Sequence, residues 1–110
     1  MAKRRTYSRY TDEAAELLAQ QIKLGRKKRN WSELELAERL GVSRATVQKI
    51  EKADKTCALG FVLEAATLVG VTLFSEDKGG LSRLNAHLSD QIALLPSRTH
   101  KLERKIDDDF

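Results

Sequence analysis

Within residues 32–51, SELELAERLGVSRATVQKIE, polar side chains of long reach recur at helical spacing. Arg44, Ala45, Gln48, Lys49 and Lys52 fall on one face of a helix beginning after Ser43, and Val47 and Ile50 fall on the other. A guanidinium, a carboxamide and two ammonium groups make a hydrogen-bonding surface about as wide as the major groove of double-stranded DNA. Nothing else in the chain has the spacing of a reactive site. There is no Ser/His/Asp or Cys/His arrangement, no paired carboxylates and no glycine-rich phosphate loop, so enzyme activity is not expected. His87 and His100 lie far apart without a cysteine or acid at ligand spacing, so neither a metal nor a cofactor is expected. Cys57, the single cysteine, reads as a small apolar residue under a helix, because nothing basic adjoins it closely enough to favour a thiolate.

The elements that must hold this face are short and well signposted. Ser32-x-x-Glu35 is a capping box opening one helix, with Leu36, Ala37 and Leu40 on its inner side. Gly41 ends it where the turn needs a positive φ. Ser43 then caps the helix that bears Arg44, whose Val47 and Ile50 plug against Leu36 and Leu40. Two helices joined by a three-residue turn must meet at a steep angle, and Ala37 is small where they come closest. Upstream, Thr11 followed by Asp12 and Glu13 reads as a helix start, with Ala15, Leu17, Leu18 and Ile22 on its apolar side. The cations Arg26–Arg29 suit its end, and Asn30 is a C′ residue. Trp31 precedes the N-cap Ser32 and reads as a staple residue; base stacking is the alternative. Downstream, 52–58 is a loop, 60–69 a fourth helix closed by Gly70, and Val71–Phe74 a short β-prone segment. Gly79-Gly80 is a break, after which Leu81, Leu84, Leu88, Ile92 and Leu95 mark a fifth helix ended by Pro96. That stripe is either a core face or an interface.

These elements make an all-α domain. The organisation expected is a basic N-terminal arm over 1–11, one domain over 12–96, and a polar tail over 97–110. The 110 residues carry a formal charge of +4, unevenly spread: 14 Lys+Arg against 8 Asp+Glu in 1–55, and 6 against 8 in 56–110. A basic half implies either a polyanion-binding face or a solvated basic surface. Apolar runs of only a few residues argue against a transmembrane helix, and the basic N-terminus lacks the apolar stretch of a secretory signal. With one cysteine, a reducing cytoplasm is the expected location.

The stretch 32–51 resembles the helix-turn-helix of the Cro/phage-repressor (Xre) family, and the resemblance extends over roughly residues 12–75. It implies a lambda-repressor-like, five-helix domain that binds palindromic operator DNA as a dimer and represses transcription. It also implies base contacts from Arg44, Ala45, Thr46, Gln48 and Lys49. Arg44 suits guanine O6/N7, Gln48 adenine N6/N7, and Ala45 a thymine methyl. Phosphate contacts are implied for Ser32, Glu33, Ser43, Lys52 and Lys55. Relatives commonly carry glutamine where this chain has Glu33. The string IEKAD resembles the family's Ile-Glu-x-Gly turn with Ala53 in the glycine's place, and relatives pair an arginine like Arg26 with a glutamate like Glu51. The alternative is that Arg26 is one of four cations facing phosphates; the pair is favoured because Glu51 is otherwise an acid beside a polyanion.

The loop and helix KADKTCALGFVLEAATLVGVTLF, with the continuation to the DDDF ending, resembles the HipB-like branch: antitoxins that repress their own operon and hold a HipA-type kinase toxin. Two readings of function therefore stand, an antitoxin with such a partner and a free-standing dimeric regulator. A lone strand at Val71, Thr72, Leu73 and Phe74 would be an unpaired edge, which pairing with a second copy would resolve. In the tail, Ile106 and Phe110 flank three acids, a pattern suited to a basic, partly apolar groove on a partner.

Overall fold

A computed structural model of the chain describes residues 6–74 and 78–97. Lys3, Arg4 and Arg5 of the arm, and Ile106 and Phe110 of the tail, lie outside the described residues. The chain divides into two compact units, Met1–Leu73 and Phe74–Phe110.

The first unit holds four helices: α1 (Arg9–Lys28), α2 (Glu33–Leu40), α3 (Arg44–Glu51) and α4 (Leu59–Leu68). α1 begins two residues before Thr11, because Ser8 is the N-cap: its Oγ accepts the Thr11 amide at 3.2 Å and its hydroxyl meets Thr11 Oγ1 at 3.0 Å. Either hydroxyl residue could have capped; the earlier one adds most of a turn of helix. At the other end Asn30 adopts φ 59°, and the Trp31 amide bonds back to the Arg26 carbonyl at 3.2 Å. Such a left-handed closing residue with a backward bond satisfies carbonyls the helix leaves open. α2 opens on the full capping box. Ser32 Oγ accepts from the Glu35 amide at 3.0 Å, and Glu35 Oε1 accepts from the Ser32 amide at 2.9 Å. It closes on Gly41 at φ 78°. Ser43 caps α3 in turn.

Ile22, Leu36, Ala37, Val47, Ile50, Ala65, Ala66 and Val69 form the buried core, with Leu18, Trp31, Leu40, Val62 and Cys57 packed partly against it. α1 packs on α3 and α4, and α2 packs on both as well. Leu36 and Val47 are wholly buried, so the two short helices are held by facing apolar side chains rather than by their own marginal stability. On α1 the inward residue is Ala19 rather than Leu17, which is exposed. Partial burial of Cys57 pushes its thiol pKa up, the direction that disfavours the thiolate.

In the single chain Val71–Phe74 forms no strand, and the described residues contain none; the pairing expected of this segment needs a second copy. Gly70 at φ 81° turns the chain out of α4 while the Val71 amide bonds the Ala66 carbonyl at 2.8 Å. Val71 and Leu73 then pack partly against the core as irregular backbone. Phe74, in the second unit, is exposed. A β-prone run of four residues has no ladder to join within one chain. In the second unit, α5 (Lys78–Ala93) runs through Gly79-Gly80 instead of breaking there. Each glycine costs a helix about 1 kcal/mol against alanine, which weakens α5 at its start without ending it. Along α5, Leu84, Leu88 and Ile92 are exposed, and so is Leu95 just beyond it.

Candidate nucleic-acid interface

The candidate face is the outer side of α3 together with the N-termini of α2 and α3. Arg44, Ala45 and Lys49 are exposed and Gln48 is half-buried, while Val47 and Ile50 point into the core. Thr46 stands apart from the other four. Its amide donates to Ser43 Oγ at 3.2 Å and its hydroxyl lies 3.1 Å from the same atom, so it completes the cap of α3. Ser32 and Ser43 are exposed N-caps at the two helix starts. A helix N-terminus presents unpaired amides and a partial positive charge, which suits a phosphate. Lys52 is exposed at the end of α3. Lys55, in the loop that follows, pairs with Asp12 at 3.0 Å and lies 5.4 Å from the Tyr7 ring centre. That loop is pinned by Asp54, whose Oδ1 accepts from the Thr56 amide at 2.8 Å and its hydroxyl at 2.6 Å, bonds that hold the carboxyl pKa down.

Glu33 is placed in a way its sequence position does not announce. One oxygen, Oε1, accepts from Arg44 Nε at 3.3 Å and from Gln48 Nε2 at 3.2 Å. The carboxylate is turned along the outer side of α3 instead of standing free at the helix end. The Gln48 bond first, then the Arg44 bond and charge, hold its pKa below the ordinary carboxylate range. The contact spans the turn between α2 and α3, so the periodicity of neither helix reveals it. The only sequence signal was an acid at the start of α2.

Behind the face, Arg26 is buried and fully engaged. Its Nε and Nη2 meet both oxygens of Glu51, at 2.6 and 2.9 Å, and its Nη1 donates to the Trp31 carbonyl at 2.8 Å. The bidentate bond to Glu51 raises the guanidinium pKa. This places Arg26 away from phosphates and ties the end of α1 to the end of α3. Trp31 packs partly on the core, with Arg39 over its ring at 4.1 Å and Arg29 at 5.8 Å. Arg29 also donates to the Val69 carbonyl at 2.5 Å. Of the basic run 26–29, two residues thus serve the fold.

Among the described residues, no group of three or more His, Cys, Asp or Glu is placed to hold a metal, and no helix is long and apolar enough to cross a membrane. No curated protein and no solved structure matches the chain significantly. Residues 22–73 match the helix-turn-helix family model, which spans the end of α1 through the segment after α4. A capped α2, a glycine-ended turn and an α3 with its polar side outward, inside an all-α lambda-repressor-like fold, agree with that match, which supports a helix-turn-helix domain of the Cro/C1 (Xre-like) type as found in DNA-binding transcriptional regulators.

Proposed function

We propose that this regulator is a cytoplasmic repressor that binds a palindromic operator as a homodimer and acts as the antitoxin of a HipA-type kinase, autoregulating its operon. The observation that carries the DNA half is the outward row Arg44, Ala45, Gln48 and Lys49 on a helix whose opposite side is core. Arg44 and Gln48 read base edges, Ala45 meets a thymine methyl, and Lys49 and Thr46 complete the contact. Ser32, Ser43, Lys52, Lys55 and the two helix N-termini hold phosphates, with Glu33 beside them. The kinase partner is supported by the HipB-like pattern of the second half, with Ile106 and Phe110 as its docking residues. A free-standing dimeric regulator is the second reading, and the helix-turn-helix match over residues 22–73 fits it equally.

In the deciding experiment, the full chain is used to select from randomised duplexes, and wild type and Arg44→Ala are compared on the enriched sequence and a shuffled one. Arg44→Ala should lose about 1–3 kcal/mol on the enriched duplex and almost nothing on the shuffled duplex. Equal losses on both would remove α3 as the reader. Co-purification with the product of the neighbouring gene separates antitoxin from free-standing regulator.

A further inference from the structure

We propose that Glu33 is a positioning residue for sequence readout: its carboxylate fixes how Arg44 and Gln48 are presented to base edges. The proposal rests on the base-reading role given above to those two residues. A carboxylate only accepts hydrogen bonds. Gln48 must therefore turn its amide nitrogen toward Glu33 Oε1, 3.2 Å away, and this bond leaves its carbonyl oxygen and one N–H unspent. That pair is the acceptor and donor that adenine N6 and N7 require. Arg44 spends only Nε on Glu33, at 3.3 Å, and keeps both Nη groups, the two-donor fork that fits guanine O6 and N7. One oxygen thus orients both readers without consuming the atoms that read. The Glu33 side chain is 28% exposed against 62% for Arg44, so the anchor is better shielded from water than the group it holds. Its backbone is fixed as the first residue of α2, directly after the capped Ser32. A glutamine at 33 could donate as well as accept, so the Gln48 amide would lose its set orientation. The carboxylate also offsets one positive charge on the face, which lowers attraction to phosphates of any sequence.

The test uses the full chain on the enriched and shuffled duplexes at one salt concentration, with Glu33→Gln, Arg44→Ala and Gln48→Ala as variants. Glu33→Gln should tighten binding to the shuffled duplex and lower the preference for the enriched one by about five- to tenfold, the lower end of what a bidentate base pair is worth. In the free protein, the Arg44 Nε–H and Gln48 side-chain amide resonances should shift on Glu33→Gln while backbone amides of the core stay in place. A structural role would move the core resonances instead, and that result overturns the proposal. Preference retained in Glu33→Gln but lost in Arg44→Ala also overturns it, leaving α3 as reader. Preference retained in Arg44→Ala and Gln48→Ala alike, or no sequence enriched at all, removes the reading face and this role with it.

Discussion

Arg26 and Glu51 form a bidentate pair between the ends of α1 and α3, with side chains only 8% and 4% exposed. The Trp31 carbonyl takes the remaining arm of the guanidinium. Every partner is satisfied, so the pair fixes one arrangement of α3 against α1. Removing either member strands a buried charge.

That gives an unequal set of expected losses. Glu51→Ala should cost about 3–5 kcal/mol, because it leaves a buried guanidinium without its counter-charge. Arg26→Met combined with Glu51→Leu should cost less than either single change. Denaturant melts of wild type, both singles and the double variant check this; additive losses would contradict a coupled pair.

Ala53 sits at φ 61°, in the left-handed region that favours glycine. The steric cost for an L residue there is about 1–2 kcal/mol. Glycine loosens the unfolded chain by roughly 0.4–1 kcal/mol, which is the smaller effect. Ala53→Gly should therefore stabilise the protein by up to about 1 kcal/mol. A rise of several degrees in the thermal midpoint is the expected readout, and a fall would mean the strain is absent.

Gly25 and Gly60 should respond to alanine with opposite signs. A Cβ at Gly25 would lie 2.7 Å from the Val69 carbonyl oxygen and 2.8 Å from its Cγ2, so α1 and the end of α4 would have to separate. Overpacking of that kind costs about 1–3 kcal/mol and outweighs the roughly 1 kcal/mol by which alanine favours a helix. At Gly60 a Cβ meets nothing within 4 Å, so only the helix preference remains and Gly60→Ala should stabilise. Thermal melts of the two variants give the comparison; the same sign for both would contradict the close approach at Gly25.

The arm should act on all DNA alike. Replacing Lys3, Arg4 and Arg5 by alanine is expected to weaken enriched and shuffled duplexes equally, and to flatten the salt dependence by roughly 0.9 per lost phosphate contact. Binding isotherms at three or more salt concentrations measure both. A selective loss on the enriched duplex would assign the arm a base-reading part.

Local chemistry alone determined most of the helix-turn-helix unit. The Ser32/Glu35 capping box, the turn at Gly41 and the inward Leu36, Ala37, Val47 and Ile50 each act through neighbours within one or two turns, so spacing exposes them. The start of α1 was less legible, because Ser8 and Thr11 are both cap residues and only the extra helix behind Ser8 decides between them. Tertiary structure decided the rest. Val71–Phe74 has strand propensity, but a strand exists only where a second edge completes its hydrogen bonds, so the segment is irregular in the single chain. The bond from Glu33 to Arg44 and Gln48 crosses a turn between two helices, and no periodicity within either helix encodes it. Arg26 looked from sequence like one of four similar cations; its burial against Glu51 and Trp31 is set by how α1 crosses α3. Sequence determines what touches along one helix, whereas contacts between helices follow from the angle at which their cores pack.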